Sequence, residues 1–257
     1  MIKQIIISIF VIFFLGYIVI GMILYIKQRS FLYYPTEDKP TNYSTMTFYN
    51  EGEVINVFVL NEGEQKAILY FGGNGESMVD SCDYIATQFP DFTVYLMDYR
   101  GYGRSSGIAT EEGLYSDALK LYDLVHAKHS SISIGGRSLG SGIATYVASK
   151  REISKLALIT PFDSIEHVAQ GRYPLYPISF LLKDKYNSVA KVKDINAKTL
   201  IVMAEFDKVV PKECTQKLID SFDNKQLEVV MIKDRGHNDI SSDEKYYKLM
   251  QDFVGEG

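Results

Sequence analysis

The chain has 257 residues, of which 46% are hydrophobic, and a formal net charge of −5. This size allows one substantial hydrophobic core, and an acidic chain without a basic block argues against nucleic acid as a partner. The two cysteines, Cys82 and Cys214, are far apart in sequence, which excludes a disulfide framework or a cysteine-based zinc knuckle.

The first element in the chain is a long apolar run, "QIIISIFVIFFLGYIVIGMILYI", at residues 4–26, which contains no charge. As a helix it would be about 34 Å long, enough to cross a bilayer. A cleaved signal peptide has a shorter apolar region, about 7 to 15 residues, that ends at small residues. We therefore expect residues 4–26 to be a retained single-pass membrane anchor, followed by a juxtamembrane segment at residues 27–44.

The residues that flank the anchor leave two questions open. Lys3 lies before the apolar run and Lys27 and Arg29 lie after it, so the positive residues do not decide the orientation in the membrane. Tyr33 and Tyr34 fit the aromatic belt of a membrane interface, and they fit a strand or loop at the edge of the next domain equally well. The sequence predicts an anchor without predicting which side of the membrane carries the rest of the chain.

From about residue 45, strand patterns alternate with helix patterns. We predict strands at 54–60, 66–71, 93–98, 131–135, 156–160, 199–204 and 227–232, and helices at about 111–127, 139–150, 212–222 and 241–254. The later strands are short apolar runs without strict alternation, which is typical of strands buried on both faces of a sheet. The sequence therefore predicts an α/β domain over residues 45–257, built on a mostly parallel, doubly wound sheet.

One segment interrupts this alternation. Residues 162–195 contain prolines and several aromatic residues, as in "GRYPLYPISFLL", but no clear strand pattern. We interpret the segment as a small cap insertion that covers the carboxyl edge of the sheet. In this interpretation Tyr173 and Phe180 line a pocket for the substrate.

The sequence Gly136-Arg137-Ser138-Leu139-Gly140 matches the pattern G-x-S-x-G and lies between a predicted strand and a predicted helix. This is the context of a nucleophile elbow, in which a strained turn lifts a serine hydroxyl above the sheet. Small residues two before and two after the serine let the strand and the helix approach each other. We therefore predict Ser138 as a nucleophile, with the backbone N–H of Leu139 as one donor of an oxyanion hole.

A serine nucleophile needs a base, and the chain offers four histidines. His126 and His129 precede Ser138, whereas the order in this architecture is serine, acid, histidine. His167 lies in the predicted cap without a strand before it. His237 follows the last predicted strand in a loop marked by glycine, and we predict it to be the base.

The acid is expected between the serine and the histidine, at the carboxyl end of another strand. The stretch "TLIVMAEFDKVVP" offers Glu205 and Asp207. Asp207 is better placed because it lies two residues further into the loop, and Glu205 is the alternative. The acid would hold the imidazole tautomer and stabilise the imidazolium ion.

Two glycine-rich loops follow strands. In "YFGGNGES" the glycines allow the backbone to turn close to a ligand, and we predict the N–H of Asn74 as the second oxyanion donor. A phosphate-binding loop is the other interpretation, but no Gly-Lys-Ser/Thr follows.

The loop "DYRGYGRSSG" at residues 98–107 has one residue too many for a dinucleotide fingerprint. We therefore expect no cofactor and no metal.

Taken together, these motifs resemble the α/β-hydrolase superfamily, and more narrowly its membrane-anchored branch, which includes the fungal Bem-type proteins and abhydrolase-domain-containing proteins thirteen and seventeen. The resemblance runs from about residue 29 to the C-terminus, through "FLYYPT", "YFGGNG", "DYRGYGRSSG", "GGRSLGSGIA", "TPFDSIEHVAQGRYP", "LLKDKYNS", "FDKVVP" and "GHNDI". It implies an α/β-hydrolase fold with Ser138, Asp207 and His237 as the triad. The branch usually has His-Gly-Asn where this chain has Gly72-Gly73-Asn74.

The resemblance implies a serine hydrolase that cleaves a carboxylic ester or thioester of a small acyl or lipid-like substrate. Some relatives are labelled peptidases, so a serine peptidase of the same fold is an alternative. A membrane-tethered binding module without catalysis is a further alternative, because a fold alone does not determine a function. The complete set of serine, acid and histidine favours the hydrolase.

The anchor prediction has a direct test. Because residues 4–26 contain no charge and no cleavage site, we expect the full-length protein to remain in the membrane pellet after an alkaline carbonate wash. Full-length protein in the supernatant would contradict a membrane span.

Overall fold

The computed structural model describes residues 1–255. The strands are β1 (Thr45–Asn50), β2 (Glu53–Leu60), β3 (Lys66–Phe71), β4 (Thr93–Met97), β5 (Ser131–Arg137), β6 (Lys155–Ile159), β7 (Lys198–Ala204) and β8 (Leu227–Ile232). The helices are α1 (Ile2–Leu32), α2 (Met78–Gln88), α3 (Glu111–Val125), α4 (Leu139–Ala148), α5 (Ile165–Arg172), α6 (Ile178–Leu181), α7 (Val189–Val192), α8 (Lys212–Ile219) and α9 (Glu244–Gly255). Short 3-10 turns occupy His126–Lys128 and Ile240–Ser242.

The eight strands form one sheet in the order β1-β2-β4-β3-β5-β6-β7-β8. β2 is antiparallel to both of its neighbours, and all strands from β4 to β8 along the sheet pair in parallel. The prediction of a mostly parallel, doubly wound sheet is therefore confirmed. All seven predicted strands are present, with bounds that differ by at most two residues.

The sheet separates two hydrophobic cores, as its strongly apolar central strands predict. One core contains buried side chains of α3, α4 and α8, such as Leu121, Ile143 and Leu218. The other contains side chains of α2 and α9, such as Cys82 and Phe253. Both predicted free cysteines are buried, so they contribute to packing as small hydrophobic residues.

Outside residues 162–195, one strand and one helix were not predicted from the sequence. β1 is an edge strand that pairs with β2 alone and buries one of its six side chains, Phe48. Its sequence therefore carries little of the apolar pattern that reveals a strand. α2 buries three side chains among polar neighbours and has an equally weak signal.

The N-terminal helix is longer than the predicted anchor. Its most apolar 18-residue stretch has a mean hydropathy of 2.8 and is not buried in the protein, and among residues 1–255 it is the one helix long and apolar enough to span a membrane. Residues 27–32, predicted as part of a juxtamembrane segment, continue this helix. Tyr33 then enters the domain core and is 5% exposed, whereas Tyr34 is exposed. Of the two interpretations, Tyr33 therefore belongs to the domain rather than to an aromatic belt at a membrane interface.

The segment at residues 162–195 contains three short helices, α5 to α7, and no strand. Its two ends belong to the core of the domain, because Phe162, Tyr186 and Val192 are buried there. The part that stands over the sheet edge is therefore narrower than predicted, at about residues 164–184. We call these residues the cap.

The turn between β5 and α4 depends on two glycines. A Cβ atom on Gly140 would overlap the carbonyl oxygen of Phe71, and one on Gly136 would overlap the carbonyl oxygen of Gly140. Both overlapping atoms belong to the backbone of secondary-structure elements, so moving either of them would cost considerable free energy. Small residues at these two positions thus let the strand and the helix approach each other.

This packing generates a stability prediction. We expect Gly140→Ala to lower the free energy of unfolding by about 3 kcal/mol, the upper end of the usual cost of overpacking. Gly171 is the matched control: it lies in α5, and a Cβ there would meet no atom within 4 Å. Gly171→Ala should be neutral or stabilise by up to about 1 kcal/mol, because alanine favours a helix. Denaturant unfolding of both variants measures the difference, and equal stabilities would refute the packing argument.

Candidate active site

Ser138 occupies the turn between β5 and α4 in a strained backbone conformation. Its φ is 49° and its ψ is −114°, a region that residues with a side chain rarely adopt and that marks functional turns. The turn is held from both sides, because the Ser138 N–H donates to the carbonyl of Ile159 at 2.9 Å and Ser141 Oγ donates to the Ser138 carbonyl at 2.6 Å. The side chain is left free to face the carboxyl edge of the sheet.

The loops after β7 and β8 bring the other two predicted residues to the same edge. His237 Nε2 lies 2.8 Å from Ser138 Oγ, and His237 Nδ1 lies 2.8 Å from Asp207 Oδ2. The side chains of His237 and Asp207 are 7% and 13% exposed. The three side chains thus form one continuous hydrogen-bonded chain, in which the histidine and the aspartate are largely shielded from water.

The acidic alternative, Glu205, lies in a different environment. Its Oε2 accepts a hydrogen bond from the N–H of Asp234 at 2.9 Å, which closes the turn after β8. Asp207 Oδ1 accepts the N–H groups of Val209 and Val210, both at 2.8 Å, which leaves Oδ2 directed to the imidazole. Local backbone hydrogen bonds therefore orient Asp207 toward His237 and hold Glu205 in the turn.

The other three histidines lie outside this group. His126 Nδ1 contacts the carbonyl of Asp123 and His129 Nε2 lies 2.8 Å from the hydroxyl of Tyr95. His167 Nδ1 lies 2.9 Å from Asp163 Oδ2. Each of the three has a hydrogen-bond partner of its own, away from Ser138.

The two predicted oxyanion donors lie beside Ser138. Leu139 is the first residue of α4, so its N–H is among those that lack an intrahelical acceptor. A Cβ on Gly73, the residue before Asn74, would lie 3.8 Å from Ser138 Cβ. Within residues 1–255, no hydrogen bond in the structure uses the N–H of Leu139 or of Asn74. Both groups are therefore available for a ligand.

Two tyrosines that the sequence analysis did not select support the Asn74 loop. Tyr99 donates its hydroxyl to the carbonyl of Gly72 at 2.7 Å, and Tyr102 donates to Asn74 Oδ1 at 2.9 Å. Burial raises the pKa of both phenols, so they remain protonated donors. The loop at residues 98–107 therefore supports the Asn74 loop. In the sequence, the signal for this role was the position of its tyrosines next to a glycine-rich turn.

Glu76 and Arg137 form a second brace that sequence reasoning missed. Glu76 Oε2 accepts the N–H of Gly73 at 2.7 Å and lies 3.6 Å from Arg137 Nη1. Arg137 Nη2 donates to the carbonyls of His237 and Asn238 at 3.3 and 3.0 Å. One ion pair thus connects the Asn74 loop, the serine turn and the histidine loop. The position of Arg137 directly before Ser138 was the one clue in the sequence.

Gly72, at a position where the Bem-type branch usually has a histidine, also has a local explanation. A Cβ on Gly72 would overlap the terminal methyl of Met78. The methionine therefore fills the space that a side chain at position 72 would need. The backbone of the loop keeps its hydrogen bonds to Tyr99 and Glu76 without a histidine.

Ser138 opens into a cavity of about 650 Å³, a size typical of sites for small molecules. Its lining is mostly apolar and comes from the cap, from α1 and from the loop after β7. Tyr173 lines it, as predicted. Phe180 does not line it, and that prediction is wrong: the side chain is 88% exposed because α6 turns it away from the domain.

One further cluster could be considered for a metal. Asp163, His167 and Cys214 bring potential ligand atoms within 4.8 Å of one another. However, Lys217 Nζ lies 3.1 Å from the same Asp163 oxygen that faces His167, and a cation there would repel a metal ion. The cluster is better described as an ion pair between Asp163 and Lys217 of α8, with His167 of the cap hydrogen-bonded to the same carboxylate.

Comparison of the sequence with those of known proteins identifies similar proteins and a matching family profile. A profile described as the alpha/beta hydrolase fold matches residues 66–179. A putative alpha/beta hydrolase of Acanthamoeba polyphaga mimivirus is 32% identical over 218 residues, which cover 79% of this chain and 81% of that protein. An uncharacterized protein of Mycobacterium tuberculosis is 30% identical over 182 residues, 69% of this chain and 64% of that protein.

The lysophosphatidylserine lipase ABHD12 of Macaca fascicularis is 30% identical over 227 residues, which cover 74% of this chain and 56% of the lipase. The matches thus span less than two thirds of the mycobacterial protein and of the lipase. Among solved structures, the esterase Pf2001 of Pyrococcus furiosus has a TM-score of 0.70 at 17% identity, with 87% of this chain and 95% of the esterase covered. At that identity the likeness shows the fold alone.

The narrower resemblance to the Bem-type branch stays a prediction. The superfamily is established by the match to the mimivirus protein, which covers most of both chains at 32% identity, and by the sheet described above. This chain belongs to the α/β-hydrolase family.

Proposed function

We propose that this protein is a membrane-anchored serine hydrolase that cleaves a carboxylic ester or thioester of an acyl, lipid-like substrate. The observation that carries the proposal is the hydrogen-bonded chain from Ser138 Oγ through His237 to Asp207, which opens into an apolar cavity of about 650 Å³. The ester and lipase activities named for the relatives are consistent with it. The proposal of a membrane anchor is supported by α1, because its apolar stretch is long enough to cross a bilayer.

The proposed reaction begins when Ser138 Oγ attacks the acyl carbon and His237 Nε2 takes the hydroxyl proton. Asp207 holds the Nδ1–H tautomer and stabilises the imidazolium ion. The N–H groups of Leu139 and Asn74 bind the negative oxygen of the tetrahedral intermediate. His237 then gives its proton to the leaving alcohol or thiol, and an acyl-enzyme remains. Water activated by His237 hydrolyses it and restores the serine.

The triad has a clear mutational test. Ser138→Ala should abolish both turnover of p-nitrophenyl acetate and labelling by a fluorophosphonate, because loss of a triad member usually lowers turnover by about 10⁴-fold or more. Asp207→Asn should be impaired by about 10³- to 10⁴-fold. Glu205→Gln is the matched control and should stay within about tenfold of the wild type, since only a turn depends on Glu205.

These outcomes separate the alternatives. Labelling of Ser138→Ala at the wild-type rate would place the nucleophile elsewhere. A wild type that cleaves peptides but neither esters nor thioesters would favour a serine peptidase. A wild type that is never labelled and never turns over any substrate would favour a binding module.

The ion pair of Glu76 and Arg137 generates a second prediction. We expect Glu76→Gln to lower kcat on p-nitrophenyl acetate by about tenfold or more, because a hydrogen bond to a charged group contributes about 1.5 to 3 kcal/mol. Glu76 holds the Asn74 loop, which carries a proposed oxyanion donor, and it does not line the cavity. KM should therefore change by less than about twofold.

Glu62→Gln is the control, since Glu62 is exposed on the loop after β2. Steady-state kinetics and a denaturant unfolding curve should be measured for both variants. A loss of stability with unchanged kcat would show that Glu76 has only a structural role.

A further inference from the structure

The cavity at Ser138 is partly built by the helix that we propose as the membrane anchor. Leu24, Tyr25, Gln28, Phe31 and Leu32 of α1 all line it. From Leu24 to Leu32 the helix rises by about 12 Å. The cavity therefore extends along α1 from the serine toward the apolar run of residues 4–26.

The cap is attached to the same face of α1. The rings of Tyr17 and Tyr176 stack with centroids 4.6 Å apart, and Tyr17 donates its hydroxyl to the carbonyl of Leu175 at 2.8 Å. Gly21 makes room for this contact, because a Cβ there would lie 3.0 Å from the Tyr176 ring. These contacts fix the helix against the domain, so α1 is a part of the cavity wall rather than a flexible tether.

A second attachment lies just beyond the apolar run. Gln28 accepts the N–H of Lys183 at 2.7 Å and Arg29 pairs with Asp184 at 2.8 Å. The Asp184 carboxylate also accepts the N–H of Glu111 at the start of α3. The cap is thereby held between α1 and the domain at the level where the anchor would leave the membrane.

The tip of the cap, residues 173–180, reaches down to the level of the apolar run. Tyr17 lies nine positions before Ile26, the last residue of that run, which corresponds to about 14 Å along the helix. At the tip, Leu175 and Phe180 are 79% and 88% exposed. In water such residues would be unfavourable, whereas beside a membrane-spanning helix they would contact lipid.

We propose that the substrate is a long-chain acyl ester resident in the bilayer, and that it reaches Ser138 directly from the membrane, along the face of α1 that lines the cavity. The proposal rests on the hydrolase function and the anchor proposed above. Along this route the acyl chain moves from lipid into an apolar cavity without crossing water, which would be strongly unfavourable for a long chain. α1 is then a substrate-binding element as well as an anchor.

The test compares two esters with the same leaving group. The full-length protein is reconstituted in phosphatidylcholine vesicles that contain 4-methylumbelliferyl palmitate, and 4-methylumbelliferyl acetate is supplied in solution. Leu24→Trp places a larger side chain in the cavity and should lower the palmitate-to-acetate rate ratio at least tenfold. Ile23→Trp is the matched control, because Ile23 is 51% exposed and does not line the cavity. It should keep the wild-type ratio.

The outcomes distinguish the two levels of the proposal. An unchanged ratio in Leu24→Trp, or an equal loss on both esters, would overturn the route along α1 while the hydrolase stands. A wild type that cleaves neither ester would overturn the proposed function itself.

The depth of the cap tip can be measured separately. The chain contains no tryptophan, so Phe180→Trp introduces a single fluorescent probe. Its emission should be quenched by brominated phosphatidylcholine in the vesicles. Leu124→Trp is the control, because Leu124 is exposed near the end of α3, at the sheet edge opposite Ser138. Absence of quenching in Phe180→Trp, or equal quenching in both variants, would overturn insertion of the cap.

Discussion

The close approach of β5, α4 and β3 at Gly136 and Gly140 is the constraint on which the site depends. Backbone atoms of Phe71 and Gly140 occupy the places where side chains at these positions would lie. The turn between them therefore has to be tight, and Ser138 adopts a φ of 49°. The same approach brings the loop after β3 alongside the serine, so one packing contact positions both the proposed nucleophile and a proposed oxyanion donor.

The remaining parts of the site lie in loops at one edge of the sheet, because parallel strands end there. These loops are held by polar contacts between them rather than by their own secondary structure. Asp207 is oriented by the N–H groups of its own turn, and Arg137 connects the serine turn with the loop of His237. Such fixed contacts suit a site whose donors and base have to be in place before a substrate arrives.

The relation between α1 and the cap changes the role of the N-terminal segment. An anchor joined by a flexible linker would leave the position of the active site relative to the membrane undetermined. Here Tyr17, Gln28 and Arg29 bind the cap along one face of the helix. The mouth of the cavity is consequently held at a constant depth relative to the apolar run, so the architecture is suited to a substrate that is itself held in a bilayer.

The sequence by itself determined the sheet and its main strands, the apolar N-terminal run, and the serine, aspartate and histidine that meet at the sheet edge. Apolar periodicity and the glycine spacing around Ser138 are local properties, and each can be seen within a few residues. Only the tertiary structure decided that Phe180 points outward, that Glu76 and Arg137 brace the site, and that α1 forms a wall of the cavity. These features arise from contacts between segments far apart in the chain, such as Tyr17 with Tyr176, and no local pattern records which distant surface a side chain will meet.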